Sequence, residues 1–527
     1  MRGRKAAINS AFMLIEEGVA VICGFILPRL ILKYFGSQYN GLTTSITLFL
    51  AGAVLLRSGI GGATRAALYK PLAEKDWTRF SGIVKATDLF MKRIALILAA
   101  VIFVFGAIYP LFVRNEFGWF FTFTLFLIIG ASSFAESFFG ITYMIVLQAD
   151  QKVWVSNAMR AVCFILNTAV AAFVIINGGG IHAVKLVSAT VFVLYPIAIS
   201  LYVKKRYPID KSVAPDMSAI SQRWDAFWQQ VALYVTNGAP MMILTFFSNM
   251  LEASVFAVYN MVSQGLLRVV LTVTHGLESA FGNMIAKKEY STLATNVRVI
   301  ETLSQTVCAV VYTCAILLIV DFVRIYTKGV EDVDYIRVGF AYVLMIGQYF
   351  NGVRLPYQLV VQAAGHYKQT RNASILEPIL NIIVSTALVF RFGVLGVAIG
   401  TLVATVYRTL QYSIHMSRHI VKRSVWLVGL RTALSAGEFM VVWGIMSAID
   451  HFSPEGALLW LRAPSGYLQW TCKAFVVGGV SVVVVALGTA LFYREDAREM
   501  LGKIRNVFVK EGRRRRAAVG VEEEKTR

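Results

Sequence analysis

The sequence is poor in charge, and above all in acidic residues. Of its 527 residues only 15% are charged, with 30 Asp and Glu against 51 Lys and Arg, whereas 57% are hydrophobic. The mean hydropathy is +0.63. This composition cannot supply the polar surface of a water-soluble globule, and apolar runs of about 20 residues recur along the chain. The sequence therefore predicts an all-α fold, that of a polytopic membrane protein.

Cysteine and histidine are also scarce, with five and six residues. All the cysteines fall in apolar segments, at spacings that fit neither a disulfide framework nor a zinc site: Cys23, Cys163, Cys308, Cys314 and Cys472. His415 and His419 are one helical turn apart, without a third metal ligand nearby in the sequence. The chain also has no nucleotide-binding loop of the Walker type and no sizeable soluble domain. We therefore expect no metal, no resident cofactor and no enzyme activity.

About fourteen apolar segments are long enough to span a membrane. They are Ala7 to Tyr34, Gly41 to Ala67, Phe80 to Val113, Gly118 to Leu147, Val153 to Ile176, Ile181 to Val203, Trp224 to Phe247, Ala253 to Ile285, Leu293 to Val320, Val338 to Val361, Ala373 to Phe390, Gly393 to Ile414, Val425 to Ile449 and Leu468 to Phe492. The first segment is too long and too acidic for the core of a signal peptide, so we expect it to be a membrane helix.

Basic residues in the connections predict the orientation. An even number of spans puts both termini on one side, and the connections on that side hold most of the cations: Arg2, Arg4, Lys5, Lys70, Lys75, Arg79, Lys204 to Arg206, Lys287, Lys288, Lys368, Arg371, Arg418, Lys422 and Arg423. The positive-inside rule makes this side cytoplasmic. Topology, and not nucleic-acid binding, then accounts for the net charge of +21.

Two sets of residues recur at nearly the same spacing in the two halves of the chain: Pro28, Phe35 and Arg57, then Pro240, Phe247 and Arg268. SNAMRAVCFILNTAV in the fifth segment likewise resembles RNASILEPILNIIVS in the eleventh. These matches predict two six-helix lobes, related by an axis along the membrane normal. The predicted domains are a first lobe at 1–205, a cytoplasmic linker at 206–223, a second lobe at 224–420, an appended pair of helices at 421–493 and a basic cytoplasmic tail at 494–527.

Five motifs carry a family resemblance: FGSQYNGL, GIGGATRAALYKPLAEKD, VLQADQKVWVSNA, QAAGHYKQTRNASILEPILN and FGVLGVAIGTLV. Over roughly the first 420 residues the chain resembles the oligosaccharide flippases of bacterial O-antigen, capsule and other polysaccharide assembly. These belong to the multidrug/oligosaccharidyl-lipid/polysaccharide exporter (MOP) superfamily. The resemblance implies a V-shaped, two-lobed bundle that moves an undecaprenyl-diphosphate-linked oligosaccharide from the inner to the outer leaflet. The chain departs from the family motif at Arg57-Ser58, where an acidic residue and a leucine are frequent.

Arginines inside the apolar segments are the candidate substrate-binding residues, because a diphosphate and sugars cross hydrocarbon only through a wet, cationic cavity. The predicted cavity cations are Arg29, Arg57, Arg268 and Arg354. Arg57 lies about 15 Å of helix from the break at Tyr69, which is deep for snorkelling. For each arginine a structural or snorkelling role is the alternative.

Carboxylates inside the segments are candidates for coupling to a proton or sodium gradient. Glu16 and Glu17 lie about 15 Å into the first segment, at a depth similar to that of Arg57, so a pair with Arg57 is geometrically open. Glu136, Glu278 and Glu377 are weaker candidates, and Glu377-Pro378 is equally compatible with a capped or kinked helix end.

Three alternative functions stay open at this stage: a lipid II flippase, a multidrug or cation extruder, and a membrane-embedded glycan-modifying enzyme. The largest outer connection has four titratable residues, Asp450, His451, Glu455 and Arg462, which disfavours the enzyme. The resemblance implies the bacterial cytoplasmic membrane as the location and a monomer as the working form. It implies lipid-linked oligosaccharide and membrane lipid as partners, together with a polysaccharide polymerase and glycosyltransferases.

Overall fold

The computed structural model describes residues 2–53, 60–113, 115–210, 212–217, 224–274, 277–452, 461, 463–496 and 498–499. All regular secondary structure in these residues is helical. The helices are α1 (Arg2–Phe35), α2 (Ser37–Ala53), α3 (Ile60–Glu74), α4 (Trp77–Ile108), α5 (Pro110–Val113), α6 (Trp119–Ala135), α7 (Ile141–Ala149), α8 (Val153–Ile176), α9 (Ile181–Arg206), α10 (Trp224–Phe247), α11 (Met250–Thr274), α12 (Leu277–Ala286), α13 (Tyr290–Tyr326), α14 (Val338–Val353), α15 (Leu355–Ala363), α16 (Tyr367–Phe392), α17 (Val394–His419), α18 (Trp426–Phe452) and α19 (Tyr467–Phe492).

The predicted all-α, multi-pass membrane fold is confirmed. Within the described residues, 11 helical stretches are long and apolar enough to cross a membrane. Hydrocarbon offers the backbone no hydrogen-bond partner, so a helix, which satisfies its own N–H and C=O groups, is the structure such a segment adopts. The three other predicted segments are covered by α2 with α3, by α10, and by α14 with α15.

One compact unit consists of Met1–Met261, Tyr326–Tyr335 and Asn381–Gly400. Within it α1 packs along α8, and α9 packs against both α6 and α8. Its apolar core contains the fully buried side chains of Leu42 and Phe80. This core packs against α6, α8 and α9, whose polar side chains meet near the C-terminal end of α6.

Carboxylates cap three helix N-termini in this unit. Asp332 accepts a hydrogen bond from the Ser37 N–H at 2.6 Å, Glu116 from the Met250 N–H at 3.1 Å, and Glu252 from the Val394 N–H at 3.0 Å. Negative charge is favourable beside the unpaired N–H groups of a helix start. Burial raises the pKa of Glu116, and its hydrogen bond from Met250 opposes this rise. All three helix starts follow connections that the sequence predicts on the outer side.

The other compact unit consists of Val262–Ile325, Ile336–Leu380 and Thr401–Arg527. In its described part, α18 and α19 pack on each other and on α13 through an apolar cluster that contains Leu318, Val442 and Val477. The residues that the sequence assigns to an appended helix pair therefore share a core with α13. The division into lobes at 206–223 stays a prediction, and the basic end of the tail, at 513–516, lies outside the described residues.

Candidate functional site

A π-helical turn interrupts the Trp119–Ala149 span near its middle. α6 ends at Ala135, Glu136–Gly140 form the π turn, and α7 begins at Ile141. Such turns occur frequently at functional sites. Gly140 faces Pro196 of α9, where an added Cβ would lie 2.5 Å from the proline Cβ. This close approach requires glycine and holds α9 beside the turn that presents Glu136.

Glu136 faces Arg160 of α8, and these charges lie within membrane-spanning helices. The distance from Arg160 Nη2 to Glu136 Oε1 is 3.7 Å. The guanidinium carbon lies 5.3 Å from the centre of the Tyr195 ring, and the Tyr195 and Ser156 hydroxyls are 2.8 Å apart. Glu16 of α1 is 8% exposed and interacts electrostatically with the same guanidinium. Two carboxylates, those of Glu16 and Glu136, therefore interact with the guanidinium group of Arg160.

A cavity of about 220 Å³ adjoins this cluster. It is lined by Ser132, Ser133, Glu136, Arg160, Phe164, Phe192 and Tyr195. Ligand pockets commonly combine such apolar walls with a few convergent polar groups. A sugar ring has apolar C–H faces and polar edges, so aromatic rings beside hydroxyls and an ion pair suit it. Charges inside a membrane span are costly, and they mark functional sites.

The structure separates the predicted site residues of the first unit. Arg29 donates from Nη2 to the Lys328 carbonyl at 2.6 Å, at a connection predicted on the outer side. Glu16 is buried beside Arg160, whereas Glu17 is exposed on α1. Arg57 lies outside the described residues, so the predicted pairing of Glu16 or Glu17 with Arg57 stays a prediction.

In the other unit, Arg268 is exposed on α11 and Arg354 is held by protein groups. Arg354 lies at the break between α14 and α15, and its Nη1 donates to Glu377 Oε1 at 2.7 Å. Arg408 of α17 lies 3.5 Å from the other oxygen of this carboxylate, and its side chain is 3% exposed. Glu377 therefore joins α16 to both arginines, which adds an ion-pairing role to the capping or kinking role expected from Glu377-Pro378. The Glu278 side chain lies outside what the structure describes.

Sequence reasoning missed Arg160 and Arg408. Arg160 lies in the SNAMRAVCFILNTAV motif, but only two turns from Lys152 in a polar connection, so it is easily taken for an interfacial residue. Arg408 lies near the middle of an apolar segment, and that depth was an available signal. Neither arginine belongs to the repeated set of proline, phenylalanine and arginine that identified Arg57 and Arg268 as candidates.

A buried ionic network lies near the start of α13. Glu301 Oε1 accepts hydrogen bonds from Arg423 Nη2 at 2.7 Å and from the Tyr357 hydroxyl at 2.6 Å, and Oε2 forms an ion pair with Arg431 Nη1 at 2.8 Å. Arg431 also reaches Asp496, beyond the end of α19, at 3.1 Å. These contacts join α13, α15, α18 and the segment after α19 at the end of the helices that the sequence predicts to be cytoplasmic.

No protein-family model and no curated protein matches this sequence. Solved structures do match its fold. A lipid II flippase, MurJ, in an inward closed conformation has a TM-score of 0.68 and 14% identity, over 93% of this chain and 99% of that one. An outward-facing multidrug resistance MATE family transporter of the MOP superfamily has a TM-score of 0.55 and 16% identity, over 80% and 97%. A MOP superfamily transporter from Pyrococcus furiosus has a TM-score of 0.53 and 14% identity, over 80% and 97%. The resemblance to the oligosaccharide flippases stays a prediction, and the fold is the one found in structures of MOP-superfamily proteins.

Proposed function

We propose that this chain is a flippase for polyprenyl-diphosphate-linked oligosaccharide in the bacterial cytoplasmic membrane, working by alternating access. The observation that carries the proposal is the 220 Å³ cavity between α6, α8 and α9, which brings Glu136, Arg160 and aromatic rings together inside apolar helices. A saccharide headgroup cannot cross hydrocarbon unaided, and this cavity offers both charge-assisted hydrogen bonds and apolar walls. In this proposal the cavity binds sugars of the headgroup.

The extent of the structural match favours a flippase over a drug extruder. The match to MurJ covers 93% of this chain. The unmatched part is shorter than 421–493, so the match includes at least some of these residues. The matches to MATE transporters cover 77% and 80%. Because the more extensive of these matches is to a lipid II flippase, lipid II is the second candidate substrate. We keep the polysaccharide precursor first because the sequence motifs resemble those of the oligosaccharide flippases.

The diphosphate-binding role of Arg29, Arg57 and Arg268 remains part of the proposal. Arg354 is a weaker candidate, since Glu377 already neutralises it at 2.7 Å. We also propose coupling to a proton or sodium gradient at Glu16 and Glu136, the two carboxylates that interact with Arg160 inside the membrane-spanning helices. Glu17 is exposed and is the weaker of the two adjacent acids.

The test is movement of labelled lipid between leaflets of proteoliposomes. A fluorescent polyprenyl-diphosphate oligosaccharide, a fluorescent lipid II and a fluorescent drug are each followed with a quencher that cannot cross the membrane. We expect the oligosaccharide lipid to move. Movement of lipid II alone would establish the second candidate, and movement of the drug alone would overturn the flippase proposal.

Arg160→Ala tests the cavity in the same assay. A charge-assisted hydrogen bond contributes about 1.5 to 3 kcal/mol, so we expect a loss of roughly tenfold or more in rate, with partial recovery in Arg160→Lys. Arg79→Ala is the matched control, because Arg79 is exposed at the start of α4. Equal rates for Arg160→Ala and Arg79→Ala would exclude a substrate role for the cavity.

A further inference from the structure

Glu438 of α18 differs from the other acids of its unit. It is 7% exposed and lies within the membrane span Trp426–Ile449. Among the described residues it has no hydrogen bond and no ion pair, whereas Glu301 and Glu377 each meet two arginines. Glu438 is also the only carboxylate in the sequence of that span. Its burial therefore needs another explanation than ion pairing.

The side chain borders a small polar cavity of about 10 Å³. The polar groups that line it come from α13, α18, α19 and the residue after α19: Thr302, Gln305, Thr306, Arg431, Ser435, Thr489 and Tyr493. This volume is close to that needed for a single water molecule, which requires two to four polar partners. The cavity therefore has the size and the lining to admit one water to the carboxyl group.

Gly488 of α19 makes room for the carboxyl group. A Cβ at this position would lie 2.2 Å from Glu438 Oε1. Any other residue would displace the acid or separate α18 from α19. The two helices are thus packed around this side chain, and its charge state acts directly on their contact.

Among the described residues, no charged group forms an ion pair with Glu438. Arg431, two turns earlier on the same helix, also lines the cavity, but its guanidinium is engaged with Glu301 at 2.8 Å and with Asp496 at 3.1 Å. Tyr349 of α14 and Tyr493 after α19 are the titratable groups that interact with it electrostatically. Both are neutral phenols at physiological pH. An isolated carboxylate in such surroundings is costly, and a neutral carboxylic acid is not.

We propose that Glu438 is a buried proton-binding site that makes the packing of α18 and α19 depend on pH. The acid carries its proton while the helices are packed. When it ionises, the carboxyl O–H bond breaks, the proton passes to a water molecule in the adjoining cavity, and a carboxylate remains between the two helices. Hydrogen bonds also connect residues of the cavity wall, because Gln305 donates to Ser435 Oγ at 3.1 Å and to the Arg431 carbonyl at 3.4 Å. The ligand is a proton, and the site is independent of the transported substrate.

Infrared difference spectroscopy of the full chain in lipid nanodiscs tests the proton directly. With glutamate carboxyls labelled by ¹³C, we expect a protonated glutamate band that remains above about pH 6, where exposed glutamates are ionised, and that disappears as the pH is raised further. The band should be absent in Glu438→Gln and retained in Glu331→Gln, which alters an exposed acid in the connection after α13. Absence of a protonated glutamate band from the wild-type chain above about pH 6 would overturn the proposal, and so would persistence of that band in Glu438→Gln.

Thermal unfolding tests the consequence for packing. Glutamine mimics the neutral acid, so Glu438→Gln should unfold at a midpoint close to that of the wild type at low pH. As the pH rises through the infrared transition, the wild-type midpoint should fall while that of Glu438→Gln stays level, because only the wild type gains a buried charge. Identical pH profiles for the two proteins would refute the pH-dependent packing. Transport of the lipid substrate is measured separately, so failure of either proposal leaves the other standing.

Discussion

Glu301 is held by two guanidinium groups and a phenol in a nearly closed environment. Its side chain is 1% exposed, and the side chain of Arg431 is 4% exposed. Removing charges from water is costly, so such a pair adds little stability over an apolar contact. Removing the acid alone is different, because both guanidinium groups stay buried with one carboxylate partner fewer, and Arg431 then keeps only its contact with Asp496. The structure therefore predicts a large effect for loss of the acid alone.

We predict that Glu301→Gln lowers the free energy of unfolding by about 3 to 5 kcal/mol, since it leaves Arg423 and Arg431 buried beside a neutral amide. Glu495→Gln is the matched control: Glu495 pairs with Arg298 at 3.3 Å but is 84% exposed, so its loss should cost about 0 to 1 kcal/mol. Chemical unfolding in detergent measures both. Similar losses for the two variants would contradict a buried role for Glu301.

The depth of a charged residue could be read from the sequence, whereas its partner could not. The sequence predicts that Glu16 lies deep enough in its segment to reach an arginine, and it names Arg57 as the candidate. The described structure shows that Glu16 interacts with Arg160. Arg354 was predicted as a cavity cation, and it pairs with Glu377, which lies two helices later in the sequence. Partners depend on which faces of the helices meet. Hydropathy does not reveal that face when a helix is apolar almost all round.

At the scale of elements, the π turn at Glu136–Gly140 is the local feature on which the cavity depends. Gly140→Val should force α7 and α9 apart, because even a Cβ at this position would lie 2.5 Å from Pro196. Crowding of a packed contact typically costs about 1 to 3 kcal/mol. Gly24→Val in α1 is the control, since nothing lies within 4 Å of a Cβ there.

The two glycine variants are compared by thermal unfolding and by lipid movement in proteoliposomes. We expect Gly140→Val to lower both the unfolding midpoint and the transport rate, and Gly24→Val to change neither appreciably. A normal transport rate in Gly140→Val would show that the geometry of the turn is not needed for the cavity to function.

The positions of the helices could be predicted from the sequence, whereas the π turn inside one of them could not. The predicted segments Val153 to Ile176 and Trp224 to Phe247 coincide with α8 and α10. An apolar run with charged ends must be helical in lipid, so its limits are visible in composition. The π turn leaves no such trace, because one displaced hydrogen bond does not alter the hydropathy of a segment.

At the scale of the whole molecule, the fold tolerates very different sequences. Identity to the matched structures is 13 to 16%, although the match to MurJ reaches 93% of this chain. A polytopic helical fold requires apolar spans, close-packed small residues and short connections, and many sequences meet these demands. This explains how the composition and segment order could predict the architecture while the substrate stayed open.

The distribution of charge predicts the orientation of the molecule, and reporter fusions can test it. Lysine and arginine are concentrated in the connections on the side of both termini, which the positive-inside rule places in the cytoplasm. The acids Asp332, Glu116 and Glu252 cap helix starts at the opposite ends of their spans, which the same rule places outside. Fusions after Lys211 and at the C-terminus should therefore report a cytoplasmic location, and a fusion near Ser453 an external one; Lys211 and Ser453 themselves lie outside the described residues. An external C-terminus would require an odd number of spans and would refute the fourteen-helix topology.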